Sequence, residues 1–272
     1  VSPDRETRAL YDECVAGLHL KGAAFVGRQM ELAQAAAWLR AAPQERPGAM
    51  VLRGPAGIGK STFFRQLASL AREHRWTVVN VDAAQPDRPY AVIAAALERL
   101  LSEDRGLLDA LSEGVRAVLA MLSPLAAPAS ALQGPLGRHQ VIGAFRRVLL
   151  AASGGGPVLV QVDDAHLADG ADADALLHLA ATGRPVFVAL ATRPVPEDST
   201  LGRGMRRLAG ARQLIAIDLQ PLPDEDAASL VAHEAPQPLE AALVGRIVQL
   251  AEGNPFAAVE LARCAGPQSA AR

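Results

Sequence analysis

The sequence predicts an α/β fold in which a five-stranded parallel sheet is flanked by helices and followed by a small helical domain. Short apolar runs alternate with helical stretches, which is typical of strands connected by helices. These runs are continuously apolar, as expected of strands covered on both faces. After Asp218 the strand pattern ends and only helical segments follow. We therefore expect a linker helix at 1–21, a core at 22–218 and a helical lid domain at 219–272.

The elements follow in order along the chain. A helix at 29–42 ends before Pro43, which cannot continue it. The predicted strands are 50–53, 77–81, 158–162, 186–191 and 214–217. Helices are predicted at 60–73, about 90–101, 105–122, 138–152 and 173–181, and in the helical domain at 224–233, 239–252 and 255–264.

Composition excludes several classes of protein. The chain has 27 basic and 29 acidic residues, so its net charge of −2 provides no basic field for direct nucleic-acid binding. No long uncharged apolar run is present and the N-terminus is polar, which predicts a cytoplasmic protein without membrane contact. Cys14 and Cys264 lie at opposite ends of the chain and suggest neither a disulfide framework nor a zinc site. With few aromatic residues, the core should consist of Leu, Val and Ala.

The sequence GPAGIGKS at 54–61 fits the phosphate-binding pattern GxxxxGK[ST] at every fixed position and predicts a P-loop NTPase. An apolar strand precedes it and a helix follows, so backbone N–H groups would converge on a phosphate at a helix N-terminus. Lys60, one of only two lysines, would reach the β- and γ-phosphates, and Ser61 would bind Mg²⁺. The predicted nucleotide-binding residues of the loop are Gly54, Pro55, Ala56, Gly57, Ile58, Gly59, Lys60, Ser61 and Thr62.

Two further strands end in polar residues that complete this site. Asp163 and Asp164 follow the strand VLVQV, where α/β sheets place ligands, and Asp163 would hold Mg²⁺. Asp164 would orient or deprotonate the attacking water, or alternatively cap the following helix. Arg193, after the strand FVALAT, is placed to contact the γ-phosphate, although an ordinary loop arginine is the alternative. The predicted catalytic residues are therefore Lys60, Asp164 and Arg193.

The ordered set FVGRQMEL, GPAGIGKS, VDDAHLAD, ATRP and LAEGNPF resembles the STAND class of AAA-like P-loop ATPases, switch domains of large bacterial regulators related to NB-ARC proteins. The resemblance covers about residues 22–265 and implies ATP or ADP as ligand, with Mg²⁺. It also implies that Gly253-Asn254-Pro255 closes over the nucleotide, although helix-capping chemistry alone accounts for these three residues. Further contacts near the adenine are implied for Phe25, Val26, Gly27 and Arg28, with Glu31 completing their motif.

The first twenty residues resemble the end of a bacterial transcriptional activator domain, with an amphipathic linker helix as the alternative. This resemblance implies effector and sensor domains, including a DNA-binding domain, outside this chain. Asp164 stands where many AAA-like ATPases have Glu, which predicts slow turnover. We thus expect a slow Mg²⁺-dependent ATPase that switches effector domains or self-association. The alternatives are an ADP-retaining scaffold and a P-loop kinase of small molecules.

Overall fold

The computed structural model describes residues 25–42, 48–83, 88–126, 137–182 and 184–265. These residues divide into two compact units. One unit is Arg28–Pro221, and the other contains the described residues 25–27 and 222–265. The predicted N-terminal helix lies outside the described residues. Within these ranges, no helix combines the length and the apolar character needed to cross a membrane.

The larger unit is built on a five-stranded parallel sheet, which confirms the predicted fold class. The strand order is β2-β3-β4-β1-β5, so β1 lies between β4 and β5. Each strand extends the predicted run by one residue. The strands are β1 (Ala49–Arg53), β2 (Thr77–Asp82), β3 (Val158–Asp163), β4 (Val186–Thr192) and β5 (Leu214–Asp218).

Seven helices of this unit are described. They are α1 (Gln29–Ala41), α2 (Lys60–Glu73), α3 (Ala91–Glu103), α4 (Glu113–Leu122), α5 (Arg138–Ala152), α6 (Gly170–Thr182) and α7 (Thr200–Gly210). The prediction of one helix at 105–122 is wrong, because Asp104 accepts a hydrogen bond from the Gly106 N–H and starts a separate 3₁₀ turn at Arg105–Leu108. Helix α4 then begins after Ser112.

Helix α7 was not predicted, and its glycines explain why. Gly202 and Gly204 weaken the helical signal in the sequence. A Cβ at Gly204 would lie 2.2 Å from Leu177 Cδ1 of α6, so a larger residue there would force the Leu177 side chain to move. Gly204 thus weakens the helical pattern in the sequence and also leaves room for α7 to pack against α6.

The apolar side chains of the strands alternate between the two faces of the sheet. Val186, Val188 and Leu190 of β4 pack in the main core, which consists mostly of Leu, Val and Ala as predicted. The intervening Phe187 contacts Trp76 and Trp38, with ring centroids 4.8 and 6.4 Å away. Two of the few aromatic residues thus join Phe187 in one cluster beside the sheet.

The smaller unit contains α8 (Asp224–Glu234), α9 (Ala241–Ala251) and α10 (Pro255–Cys264), which pack around their own apolar core. At the start of α10, the Asn254 side chain accepts hydrogen bonds from the N–H groups of Phe256 and Ala257. Gly253 has a φ of 70°. The capping chemistry expected of Gly253-Asn254-Pro255 is therefore present.

A buried carboxylate links two helices of the larger unit. Asp172, in the first turn of α6, is fully buried and accepts hydrogen bonds from the N–H groups of Val92 and Ile93 at the start of α3. Burial raises the pKa of Asp172 to about 6, although both N–H groups oppose the rise. Asp172 therefore caps a helix that is distant in sequence.

We expect Asp172→Ala to destabilise the protein by about 1–3 kcal/mol, because two buried N–H groups lose their acceptor. Since folding raises the pKa of this carboxyl, the native state binds more protons than the unfolded chain as pH falls below about 6. Stability from this group is therefore lost as pH rises through about 6. The mutation should cost about 1 kcal/mol more at about pH 5 than at about pH 8, measured by urea unfolding.

Asp174→Ala, on the same helix, is the control. Asp174 forms a partly exposed ion pair with Arg138, so its loss should cost about 1 kcal/mol or less. Equal losses for the two variants would contradict the capping role, and a cost of Asp172→Ala that is independent of pH would contradict the raised pKa of Asp172.

Candidate functional site

The parallel sheet brings the predicted phosphate-binding and acidic residues to one edge. Strands β3, β4 and β1 are consecutive neighbours, and all carboxyl ends of parallel strands point the same way. The loop 54–61 follows β1, Asp163 and Asp164 end β3, and Arg193 follows β4. Segments separated by more than 100 residues thus meet at one edge.

The loop after β1 is tightly held at both ends. The Gly54 N–H donates to the Thr192 carbonyl at the end of β4 over 3.2 Å. A Cβ at Gly54 would lie only 2.7 Å from Ile58 Cγ2 and 3.3 Å from the Leu219 carbonyl oxygen. Gly59 has a φ of 98° and immediately precedes α2, a conformation that favours glycine. This loop therefore has the backbone expected of an anion cradle at a helix N-terminus.

Lys60 lies inside the loop that precedes it. Its ammonium donates to the carbonyl oxygens of Gly54 and Pro55 over 3.0 and 2.8 Å, and only 6% of the residue is exposed. Burial lowers the pKa of Lys60, whereas the charges of Asp164 and Asp163 raise it. The amine is thus directed into the loop, close to the two acids.

Ser61 and Asp163, the two predicted metal ligands, are brought into contact. The Ser61 hydroxyl hydrogen-bonds the Asp163 carboxylate, and the Asp164 N–H donates to Asp163 Oδ1 over 2.9 Å. Burial raises the pKa of Asp163, and these two hydrogen bonds oppose the rise. A partly buried carboxylate beside a hydroxyl presents the oxygen ligands that Mg²⁺ prefers. The residues present therefore fit a magnesium ion.

Asp164 does not cap a helix, so that alternative is wrong. It precedes the 3₁₀ turn Ala165–Leu167 with a φ of 47°, and its side chain makes no capping hydrogen bond. The carboxylate is 46% exposed and lies 3.8 Å from His166 Nδ1. Asp164 is therefore open to solvent next to the partly buried Asp163.

Arg193 is exposed at the end of β4, where its charge lowers the pKa of both Lys60 and His166 as a minor effect. The preceding Thr192 is fully buried, and its hydroxyl donates to the Arg193 carbonyl over 2.8 Å. The Arg193 guanidinium is therefore close enough to Lys60 for its charge to affect the pKa of that ammonium.

Arg28 forms a hydrogen bond with the phosphate-binding loop. Its side chain is 7% exposed and pairs with Glu31 over 3.3 Å. The same guanidinium donates to the carbonyl of Ile58, over 3.5 Å, and to the carbonyl of Gln220. Arg28 therefore connects the loop after β1 to the segment after β5, a contact that the sequence did not predict.

The other residues implied in base binding belong to the smaller unit. Val26 packs against its apolar core, and a Cβ at Gly27 would lie 2.8 Å from Asp226 Oδ2. Pro255 is the first residue of α10. The role of Phe25, Val26, Gly27 and Pro255 in nucleotide binding stays a prediction.

Two polar residues near the site were missed. Asp82 ends β2 opposite Asp163, and its charge contributes to the raised pKa of Asp163. It follows an apolar run, so the strand-end argument used for Asp163 could have found it. Gln161, buried in β3, donates to the Phe64 carbonyl of α2 over 3.1 Å and holds this helix against the strand that carries Asp163. No sequence pattern marks that pairing.

Comparisons with known proteins agree with this geometry. The profile of the AAA ATPase domain family matches residues 24–191. No curated protein matches the sequence. One similar solved structure is the ORC1 protein from Aeropyrum pernix in complex with DNA (TM-score 0.55, 17% identity, covering 88% of this chain and 59% of that one).

Two archaeal ATPases also share the fold. A Walker-type ATPase from Pyrococcus abyssi has a TM-score of 0.53 and 14% identity, covering 86% of this chain and 66% of that one. A STAND protein with a tetratricopeptide repeat sensor from Pyrococcus horikoshii has a TM-score of 0.50 and 18% identity, covering 86% and 29%. This chain thus spans less than two thirds of the length of each of these proteins.

We expect Gly54→Ala to weaken ATP binding by about fivefold or more, because the added methyl group overpacks the loop against Ile58 at a cost of about 1–3 kcal/mol. Calorimetric titration with ATP would measure the change. The control is Gly245→Ala on α9, where a Cβ meets nothing within 4 Å. An unchanged affinity in Gly54→Ala would show that the loop has room for a side chain, contrary to its packing.

Proposed function

Because this chain belongs to the AAA ATPase domain family, we propose that it is an ATP-binding switch module that slowly hydrolyses ATP with Mg²⁺. In this proposal it controls effector domains or self-association of a longer bacterial regulator. The observation that supports ATP chemistry best is the hydrogen bond between Ser61 and Asp163, formed beside the buried ammonium of Lys60. A glycine-rich turn without these groups would lack both the cation and the oxygen ligands.

Binding of ATP uses the loop at 54–61. Its N–H groups and the N-terminus of α2 favour the negative charge of the phosphates. Lys60 exchanges its hydrogen bonds to the Gly54 and Pro55 carbonyls for phosphate oxygens. Since Lys60 is already held in the loop, little side-chain entropy is lost when it binds phosphate.

Ser61 and Asp163 would hold the metal ion. When bound, Mg²⁺ would neutralise charge on the β- and γ-phosphates. Asp163 is well suited to this role, because a cation compensates the cost of burying its carboxylate.

Hydrolysis needs a group that positions water and a group that stabilises charge. The half-exposed carboxylate of Asp164 directly follows Asp163 in the chain, and it orients the attacking water. Arg193 supplies a permanent positive charge to the γ-phosphate. Because Asp is one methylene shorter than the Glu common in AAA-like ATPases, it holds water farther away, and turnover is slow.

Switching follows from a change of ligand between ATP and ADP. In the proposed organisation the core is 22–218 and the helical lid domain is 219–272. Pro255 of the lid and residues 25–28 contact the base and ribose. Effector and sensor domains, including a DNA-binding domain, lie outside this chain, which works in the cytoplasm and itself contacts neither membrane nor nucleic acid.

A scaffold that retains ADP without turnover is a second candidate. It is favoured by the short and half-exposed Asp164, which is a weakly positioned base. In that case the protein would bind nucleotide through the same loop and act by interaction alone. Release of phosphate separates the two functions.

We expect purified protein to release phosphate from ATP with Mg²⁺, and EDTA to abolish this release. Lys60→Ala should abolish ATP binding, because it removes the only cation within the loop 54–61. Asp164→Asn should retain binding but lower kcat by about 100-fold or more, since it removes the general base. Phosphate release and ATP affinity are the two measurements.

Asp109→Asn is the matched control, because Asp109 is an exposed aspartate that ends the 3₁₀ turn after α3. It should leave both quantities unchanged. Equal phosphate release by wild type, Lys60→Ala and Asp164→Asn would refute the proposed hydrolysis. Tight ADP binding without release would support the scaffold.

A further inference from the structure

We propose that His166 is a positioning residue for Asp164, whose carboxylate it holds by a hydrogen bond from its Nδ1–H. This inference rests on the proposed function, because it concerns the group that orients water for ATP hydrolysis. Nothing in the sequence patterns of this chain distinguishes His166 from an ordinary loop histidine. The structure distinguishes His166, because its ring lies beside Asp164 at the carboxyl edge of the sheet.

The geometry places the ring directly beside Asp164. Leu167 N–H donates to the Asp164 carbonyl over 2.8 Å and closes the 3₁₀ turn that carries His166. This turn brings His166 Nδ1 to 3.8 Å from Asp164 Oδ1. A small rotation of either side chain brings the two atoms within hydrogen-bond distance.

His166 Nδ1 is an unsatisfied polar atom. It is buried, and no hydrogen-bond partner reaches it from the described part of the chain. The side chain as a whole is 15% exposed. Because buried polar atoms are nearly always hydrogen-bonded, this nitrogen requires an explanation. Asp164 Oδ1, an acceptor 3.8 Å away, provides it.

Both side chains are able to move into contact. Asp164 makes no capping bond and its carboxylate is half-exposed, so it is not fixed elsewhere. On another side His166 borders a cleft of about 250 Å³, which it shares with Asp169, Ser199 and Thr200. The ring is therefore not closely packed in that direction.

The charged groups that affect the pKa of His166 all belong to the candidate site. Burial lowers the pKa of His166, Asp164 opposes this, and Arg193 and Lys60 add to the lowering. The ring is therefore neutral near pH 7 and carries a single N–H. A neutral ring donates to Asp164 without cancelling the negative charge that attracts a proton from water.

Three substitutions of His166 test the role of the Nδ1 atom. In His166→Asn the amide nitrogen is attached to Cγ, as Nδ1 is, whereas in His166→Gln it lies one atom farther out. His166→Ala has no donor. We expect kcat for phosphate release to fall by about tenfold or more in the Ala and Gln variants and to stay within about threefold in the Asn variant.

ATP affinity and the melting temperature should remain unchanged in all three variants. Selective ¹⁵N labelling of histidine gives a readout that does not depend on activity. The ¹⁵N chemical shift of His166 Nδ1 should indicate a hydrogen-bonded N–H in wild type with a non-hydrolysable ATP analogue, and should change in Asp164→Asn.

The outcomes separate this inference from the proposed function. Unchanged kcat in His166→Ala, with active wild type, would overturn the inference alone. Equal losses in the Asn, Gln and Ala variants, or losses matched by weaker ATP binding, would assign His166 a structural role and also overturn it. Absence of phosphate release from wild type would overturn the proposed hydrolysis, and the inference with it.

Discussion

The rest of the candidate site depends on how tightly the loop after β1 is packed. Gly54 is enclosed by Ile58 and by the Leu219 carbonyl, and its N–H is bound by the Thr192 carbonyl. Since β1 is hydrogen-bonded to both β4 and β5, the sheet fixes the position at which the loop begins. Gly59 then turns the chain into α2, so that Lys60 and Ser61 follow at the helix N-terminus. A displaced loop would move all of these groups together.

The same packing shifts the pKa values of Lys60 and Asp163. It buries Lys60 and Asp163 near one another, which lowers the pKa of the first and raises that of the second through desolvation. Burial disfavours the charged form of each group. A bound phosphate would stabilise the charged Lys60, and a bound cation would stabilise the charged Asp163. Arg193 is exposed at the same edge and the Asp164 carboxylate is half-exposed, so solvent reaches both side chains. Lys60 is thus shielded from water, whereas Arg193 faces it.

Much of the fold and the main elements of the site were predictable, because both depend on local patterns. Continuous apolar runs marked all five strands, and the fixed spacing of GPAGIGKS marked the loop. The remainder depends on long-range contacts that leave no local signal. Gly204 weakened the pattern of a helix that its contact with Leu177 makes possible. Arg28 binding to Gln220, Asp172 capping α3, and His166 beside Asp164 all require the folded chain.

In the proposed function, Ser61 and Asp163 bind a metal ion together with ATP held by Lys60. The most direct test compares the affinity for ATP in Mg²⁺ and in EDTA, by calorimetry, for wild type and for the double variant Ser61→Ala, Asp163→Asn. We expect Mg²⁺ to strengthen ATP binding to wild type by about tenfold or more and to have little effect on the double variant. Equal strengthening in both proteins, or no ATP binding by wild type, would contradict it.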